Sequence, residues 1–368
     1  MALSHDLCYS VMDLRLLLEY HEFFSSFLRY FNFVMSIVIC LVGLVGNAVV
    51  IWFLGFIMKN YKAKYWFLNL AIADFLLLLT LPFHTISHLK GTWTFGRHMC
   101  KLYFFSFCTN MYAGVYMLIA LNIARVLSVA KPMFHRKFMS KRLSIWICTL
   151  IWLVTIMVCI PVHYYTGELK MGEATLCTFI DSNAFGTEVN KQYNVSSRNA
   201  TRDVLFFDIY TKLSPFIDHC TSGTCCGGEW ARDYWNHWIL ITKRHVIPFL
   251  VIGYFIPLVI VIICNITIVV NVRKSKTINT HRIYRLVLII IMVYFITWTP
   301  IVIAQTVLFI ANLNMNLITM FNVLTFIPLL ISIAYVNSCL NPLIYMLSGG
   351  QMRTRLSDFI NDIRNRDK

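Results

Sequence analysis

Charged side chains are scarce in this sequence of 368 residues, of which only 13% are charged and 58% are hydrophobic. Soluble domains carry about 25% charged residues. The low charge therefore excludes an ordinary water-soluble protein. Together with a mean hydropathy of +0.66, it places the chain among membrane proteins.

The apolar residues are gathered in seven runs, each long enough to cross a bilayer as a helix of about 20 residues. No run alternates polar and apolar residues, so a β-barrel is disfavoured. The predicted spans are residues 31–57, 66–88, 101–130, 143–164, 246–272, 285–311 and 320–347. The sequence thus predicts an all-α membrane protein with a seven-transmembrane helix bundle.

The predicted organisation has three parts. They are an N-terminal segment (1–30), the helix bundle (31–347) and a C-terminal tail (348–368). The bundle includes one long loop, residues 165–245. Charged residues such as Asp13, Arg15 and Glu19 interrupt every apolar stretch in the N-terminal segment. We therefore expect no cleavable signal peptide, and the first span would act as its own insertion signal.

Acidic residues are nearly absent from one side of the predicted bundle. If the C-terminus is inside the cell, the inner loops and tail carry 18 Lys and Arg residues against three acids, a surplus that equals the formal net charge of +15. Cytoplasmic loops are enriched in Lys and Arg. This distribution predicts an extracellular N-terminus and explains the basic charge without a nucleic-acid partner.

The predicted outer face carries the features of an extracellular surface. Two glycosylation sequons begin at Asn194 and Asn199 in the long loop. Six of the twelve cysteines lie on this face, where disulfides are the default. Cys100 begins the third span and Cys177 lies early in the loop, and we pair these two. The other four outer cysteines are Cys8, Cys220, Cys225 and Cys226. They can form two disulfides in three different ways, and the sequence does not choose among these. A zinc site at the last three of these cysteines is the less favoured alternative.

An aromatic segment, residues 229–238, precedes the fifth predicted span. It could contact a ligand as a lid. The alternative, which we favour, is an amphipathic segment at the lipid headgroups, where aromatic side chains are enriched.

Polar residues within the spans are candidates for function, because burying them in lipid is costly. Asp74 is the main acid at depth. Buried amides accompany it in the first, third and seventh spans: Asn47, Asn110, Asn337 and Asn341. These groups could join helices by hydrogen bonds, or a carboxylate among amides could hold a small hard cation such as sodium. Prolines that permit kinks recur in five spans: Pro82, Pro161, Pro257, Pro300 and Pro342.

Short motifs lie on the seven spans in order. They are Gly46-Asn47, Leu70-Ala71-Ile72-Ala73-Asp74, Cys100 to Arg125, Trp152 with Pro161, Pro257, Trp298-Thr299-Pro300, and Asn341-Pro342-Leu343-Ile344-Tyr345. Together they resemble rhodopsin-like (class A) G-protein-coupled receptors over nearly the whole chain.

The resemblance implies a role for each matching residue. Arg125 would engage a heterotrimeric G protein. Trp298, which lies beside Pro300, would be the toggle residue beneath the ligand. The motif residues Asn341, Pro342 and Tyr345 would rearrange on activation. Asp74, Asn110, Asn337 and Asn341 resemble the sodium pocket, although Gly114 stands where many members have serine. Cys100–Cys177 resembles the family disulfide. Residues 350–364 would form a short amphipathic C-terminal helix on the inner leaflet.

The sequence departs from the family pattern around Arg125. Ala124 replaces the usual aspartate that restrains this arginine, and Thr280 stands near the level of a second acid in span six. We expect a destabilised resting state and raised basal activity. The alternative is a non-signalling scavenger or decoy receptor. Asn265 stands where family members commonly have a tyrosine in span five, so the active state would also lose one support.

Within this family, the chain resembles the chemoattractant branch of anaphylatoxin, formyl-peptide and chemerin receptors. Phe107 occupies the level where amine receptors have an aspartate, so an amine ligand is disfavoured. The candidate pocket residues are Phe107, Cys108, His84, His88, Arg244, His245, Phe249 and Gln305. Basic groups at its mouth would suit the carboxylate of a peptide or small protein. Metal binding by His84 and His88 is a weaker alternative.

Other classes lack support in the sequence. A transporter would show internal repeats, and an enzyme would need a nucleophile–base pair or a metal cluster at depth. Neither is found in the spans. We therefore expect a multi-pass plasma-membrane receptor without a cofactor, apart from an allosteric sodium ion.

Overall fold

The computed structural model describes residues 7–58, 64–138, 140–171, 174–179, 224–227, 229–274, 278–314 and 316–348. Its elements are β1 (Leu7–Ser10), α1 (Val11–Trp52), a π-helical turn (Phe53–Ile57), α2 (Lys64–Lys90), α3 (Gly96–Ala130), α4 (Pro132–Phe138), α5 (Lys141–Tyr165), β2 (Thr166–Met171), β3 (Ala174–Phe179), β4 (Thr224–Gly227), α6 (Glu229–Leu250), a second π-helical turn (Val251–Phe255), α7 (Ile256–Lys274), α8 (Ile278–Leu313) and α9 (Leu317–Ser348).

Seven helical segments within the described residues are long and apolar enough to cross a membrane, as predicted. They are α1 with its π-turn, α2, α3, α5, the joined α6 and α7, α8 and α9. Large apolar side chains cover the outside of the bundle, for example Val45, Trp146 and Ile263. Such a surface suits lipid, because bilayer tails are as apolar as these side chains.

The helices pack in a ring around α3. The first helix lies against α2 and α9, while α3 contacts α2, α5 and α7, and α8 contacts α9 and α6. A continuous apolar core joins these helices and includes Leu118, Trp298 and Tyr254. The core therefore holds buried polar groups at fixed positions between helices.

The fifth span is interrupted where its sequence requires it. Pro257 has no backbone N–H to donate, and the preceding turn widens so that the N–H of Ile256 donates to the Val251 carbonyl. Gly253 lies inside this π-turn, and a Cβ atom there would approach Cε of Met111 to 2.5 Å. The glycine thus permits close contact between this span and α3.

Two helices begin well before the predicted spans. The first starts at Val11 instead of 31, and α6 starts at Glu229 instead of 246. Neither segment contains a proline or glycine that would end a helix. The aromatic segment 229–238 is therefore helical and continues directly into the fifth span.

Two small antiparallel sheets lie on the side of the bundle where these helices begin. The hairpin of β2 and β3 follows α5, with Cys177 paired to Glu168. The second sheet joins distant parts of the chain, since β1 pairs with β4 in the register that sets Cys8 opposite Cys226. Both sheets belong to segments predicted to be extracellular.

Candidate functional site

Asp74 is the centre of a buried polar cluster between three helices, with only 3% of its surface exposed. Its Oδ1 atom accepts hydrogen bonds from Asn110 Nδ2 at 2.9 Å and Ser338 Oγ at 2.8 Å. Its Oδ2 atom accepts one from Asn341 Nδ2 at 2.8 Å. Helices α2, α3 and α9 are thereby joined through one carboxylate.

The oxygen atoms of this cluster fit a small hard cation. Asn337 Oδ1 and Asn341 Oδ1 are buried without a hydrogen-bond partner, and Asp74 Oδ2, which accepts one hydrogen bond, keeps a second lone pair. Carboxylate and amide oxygens are the ligands that such cations prefer. Gly114 supplies no hydroxyl, and a Cβ atom there would lie 3.7 Å from the Tyr294 ring. Asp74, Asn337 and Asn341 would therefore hold the ion.

The first helix is tied to the same cluster through Asn47. Its Nδ2 atom donates to the carbonyl of Gly43 at 2.9 Å and to that of Ser338 at 2.8 Å. Ser338 therefore links α1 through its backbone and Asp74 through its side chain. Sequence reasoning missed Ser338, although it directly follows Asn337 in the motif on the seventh span.

A column of aromatic rings extends from the polar cluster toward the end of the bundle that carries the hairpin. Trp298 is 1% exposed, and its ring centroid lies 5.5 Å from that of Phe107 and 5.8 Å from that of Tyr294. Phe107 in turn lies 5.9 Å from Tyr335. The predicted toggle and the predicted pocket residue are therefore in contact, so a ligand pressing on Phe107 would act on Trp298.

Tyr294 adds a polar contact beneath this tryptophan. Its hydroxyl donates to the Met111 carbonyl at 3.2 Å, which joins α8 to α3. A buried tyrosine hydroxyl normally needs a partner of this kind. Sequence analysis did not single out Tyr294, because a tyrosine in an apolar helix carries no signal of the backbone group that it meets.

The predicted mouth residues fall into two groups. His84 stacks on Tyr103 at 4.7 Å and lies 6.0 Å from the ring of His88. On the side of α6, Arg244 Nη1 donates to the Tyr165 hydroxyl at 3.2 Å, and His245 meets the same ring edge-to-face at 5.6 Å.

The remaining predicted pocket residues differ in their exposure. Cys108 is buried, whereas Phe249 and Gln305 are partly exposed. No group of three or more potential metal ligands occurs among the described residues.

A disulfide fixes the β2–β3 hairpin to the bundle. Cys100 and Cys177 are bonded, with their Cα atoms 5.5 Å apart, as predicted. The hairpin is also held by the N–H of Trp93, which donates to the Thr175 carbonyl at 2.7 Å. The hairpin is thus anchored at the end of α3, beside the mouth of the bundle.

The opposite end of α3 carries the predicted coupling residue. Arg125 is partly exposed, whereas Ala124 is buried, with 8% of its surface exposed. Ser128 Oγ donates to the Arg125 carbonyl at 2.8 Å. Ala124 therefore faces the interior at a position where it offers neither charge nor hydrogen bond.

Some predicted site residues lie outside the described part of the chain. These are Asn194, Asn199, the expected amphipathic helix 350–364 and the side chains of Thr280 and Tyr345. Pro342, by contrast, is buried and lies against Gly46, where a Cβ atom would come within 3.1 Å of its ring.

Seven spanning helices, with a buried polar cluster between them and a disulfide-anchored hairpin at the mouth, define a seven-span helical membrane protein. The family described as 7 transmembrane receptor (rhodopsin family) matches residues 46–201 and 204–345. The chain therefore belongs to this family of G-protein-coupled receptors, which are not enzymes.

Several curated relatives are similar over most of the chain. The C3a anaphylatoxin chemotactic receptor of Rattus norvegicus is 27% identical, covering 88% of this chain and 86% of the relative. Chemerin-like receptor 1 of Rattus norvegicus is 25% identical, covering 87% of this chain and 75% of the relative. Chemerin-like receptor 2 of Homo sapiens is 25% identical, covering 90% of this chain and 80% of the relative. The chain thus falls in the chemoattractant-type branch of the family.

Proposed function

We propose that this chain is a plasma-membrane receptor that activates a heterotrimeric G protein through Arg125 and does so in part without ligand. The observation that carries the proposal is Ala124, a buried residue with no carboxylate directly before that arginine. The resemblance to other receptors implies that an acid at this position restrains the arginine at rest. Ala124 cannot supply this restraint.

The rest of the sequence offers few substitutes for the missing acid. No Asp or Glu occurs between Asp74 and Glu168, or between Asp233 and Asp358. The inner loops therefore contain no carboxylate. A hydrogen bond to a charged group contributes about 1.5–3 kcal/mol, and a change of 1.4 kcal/mol shifts an equilibrium about tenfold. The loss is large enough to populate the active state in the absence of ligand.

The ligand that we propose is an extracellular peptide or small protein. Phe107 places no charge where an amine would be recognised, and Arg244 presents an exposed guanidinium near the mouth. Arginine pairs well with carboxylates, such as the C-terminus of a peptide. Relatives named as anaphylatoxin and chemerin-like receptors support this class of ligand.

The test measures ligand-free activation of a panel of G-protein subtypes in cells that express the wild type, Ala124→Asp or Arg125→Ala. We expect the wild type to signal well above mock-transfected cells. Ala124→Asp should reduce this basal signal about tenfold or more by restoring the restraint. Arg125→Ala should abolish it, because the coupling group is lost.

Two matched variants separate charge from bulk. Ala124→Asn has nearly the same shape as Ala124→Asp but carries no charge, so it should lower the basal signal much less. Ala130→Asp introduces the same charge at the exposed end of α3 and should leave the signal unchanged. A wild type that is expressed on the surface yet gives no signal above mock would refute ligand-free coupling.

A non-signalling scavenger is the second candidate, and Asn265 favours it. This residue stands where the resemblance implies a tyrosine that supports the active state, and its Nδ2 atom donates to the Val261 carbonyl of its own helix at 2.9 Å. The scavenger predicts no coupling in any subtype assay, while a fluorescently labelled peptide bound at the surface is still internalised.

A further inference from the structure

Two long helices extend beyond the bundle on the side of the hairpin. From Val11 to the predicted start of the first span at residue 31, α1 covers 20 residues, which at 1.5 Å per residue is about 30 Å. From Glu229 to the predicted start of the fifth span, α6 covers 17 residues, or about 25 Å. The tips of both extensions therefore reach similar heights.

The tips of these helices are joined by the sheet of β1 and β4. Strand β1 ends at Ser10, directly before α1, and β4 ends at Gly227, two residues before α6. The two helices pack on different neighbours within the bundle, since α1 lies against α2 and α9 whereas the fifth span lies against α3 and α8. The sheet is thus a connection across the outer side of the bundle.

The register of this sheet places two cysteines opposite each other. Cys8 pairs with Cys226, and the neighbouring Tyr9 pairs with Cys225. Directly opposed residues in antiparallel strands have Cα atoms about 4.5–5.5 Å apart, within the range of about 4.4–6.8 Å that a disulfide requires. Because successive residues of a strand lie on opposite faces, Cys225 is on the other face from Cys8.

We propose that Cys8 and Cys226 form a disulfide that ties the N-terminal segment to the second outer loop. The two thiols lose two protons and two electrons as the S–S bond forms. A disulfide-bearing thiol oxidoreductase of the secretory compartment accepts them and becomes a dithiol. Among the cysteines whose side chains the structure describes, the six without a disulfide all lie within the spans, so this bond is distinct from the packing cysteines of the bundle.

With this bond, two disulfides would cross-link the segments predicted to lie outside the membrane. The hairpin is fixed by Cys100–Cys177 at the end of α3, and the second bond would connect the tips of the α1 and α6 extensions. A ligand would then enter beneath or beside a closed strap and not between two independent chain segments.

The test uses full-length receptor with a site-specific protease sequence inserted after Gly186, between Cys177 and Cys220. Cleavage leaves Cys8, Cys100 and Cys177 on one fragment, and Cys220, Cys225 and Cys226 on the other. After thiols are blocked with N-ethylmaleimide, the fragments are separated on a denaturing gel without reductant. We expect them to migrate as one species in the wild type and as two after reduction.

Single substitutions identify the bonded residues. Cys8→Ser and Cys226→Ser should release the fragments without reductant, whereas the neighbouring Cys225→Ser should leave them joined. Wild-type fragments that come apart without reductant would overturn the proposal. A bond between the neighbours Cys225 and Cys226 would give this result, because both residues are on the same fragment. Fragments that separate in Cys225→Ser but stay joined in Cys226→Ser would also overturn the proposal. The wild-type result needs no cysteine substitution, so fragments that come apart would refute the bond even if a variant failed to fold.

Discussion

Asp74 is the only acidic residue between Glu22 and Glu168, and its surroundings show why a carboxylate is tolerated at that depth. Its two oxygens accept three hydrogen bonds from Asn110, Ser338 and Asn341. A buried charge is costly unless neighbouring dipoles stabilise it. The residue therefore depends on three donors from two other helices, and any change in their arrangement is felt at the carboxylate.

We predict that Asp74→Asn lowers the thermal stability of the purified receptor and removes its dependence on sodium. The amide loses charge-assisted hydrogen bonds worth about 1.5–3 kcal/mol each, and it turns one acceptor into a donor that faces other donors. The midpoint of thermal unfolding is measured in NaCl and in choline chloride at equal ionic strength. The wild type should be more stable in sodium, and the variant equally stable in both salts.

Ser338→Ala is the control for this experiment. It removes one donor to Asp74 but keeps the carboxylate, so stability should fall while the sodium effect persists. Equal stability of the wild type in both salts would contradict the proposed ion site.

Much of this cluster could be predicted from single residues. Asp74, Asn110 and Asn341 stood out because charged and amide groups are rare in apolar spans, and the structure brings them into contact. Ser338 and Tyr294 were missed, since a serine or tyrosine in a helix is common and its partner depends on how neighbouring helices are rotated. Asn337 was predicted, yet its Oδ1 atom has no hydrogen-bond partner, so an ion bound there would complete the predicted set.

At the scale of elements, the contact of α1 with α9 depends on a missing side chain. A Cβ atom on Gly46 would lie 3.1 Å from Cβ and 3.2 Å from Cγ of Pro342. The proline ring is rigid, so it cannot move aside as a methionine would. The helices therefore approach closely only because residue 46 is glycine.

We predict that Gly46→Val strongly reduces surface expression of the folded receptor. The added side chain would force α1 away from α9, and overpacking of this kind costs about 1–3 kcal/mol. It would also disturb the neighbouring hydrogen bond from Asn47 to the Ser338 carbonyl. Surface level is measured by flow cytometry, and stability by the thermal unfolding midpoint in detergent.

Gly55→Val provides a matched comparison, because a Cβ atom at Gly55 meets nothing within 4 Å. This variant should be expressed at nearly the wild-type level. If both variants reduce the surface level equally, the cause is a general disruption of α1 and not the contact with Pro342.

The ends of the helices were harder to predict than their positions. Hydropathy located all seven spans, because the bilayer demands about 20 apolar residues in each. It gave no sign that α1 and α6 continue outward, since residues beyond the bilayer need not be apolar. The pairing of β1 with β4 joins residues more than 200 positions apart, and no local pattern in the sequence specifies such a partner.

At the scale of the whole molecule, charge and disulfides give the two ends of the bundle different chemistry. One end carries the Cys100–Cys177 bond and both sheets. The other carries 18 Lys and Arg residues in its loops and tail against three acids. Disulfides form in oxidising compartments, and basic loops remain in the cytoplasm. Both features support the same orientation, with the N-terminus outside.

We predict that an epitope tag at residue 1 is accessible to antibody on intact cells, whereas a tag at residue 368 is accessible only after permeabilisation.

The same orientation exposes Asn194 and Asn199 to the glycosylation machinery of the secretory pathway. Treatment with an N-glycosidase should therefore increase the mobility of the wild type on a gel, and a variant with Asn194→Gln and Asn199→Gln should already migrate faster. Asn265→Gln is the control, because the third sequon of the chain, Asn265-Ile266-Thr267, lies within the fifth span, and the substitution should leave the mobility unchanged. A C-terminal tag that is stained on intact cells would reverse the assigned orientation, and Arg125 would then be on the side away from any G protein.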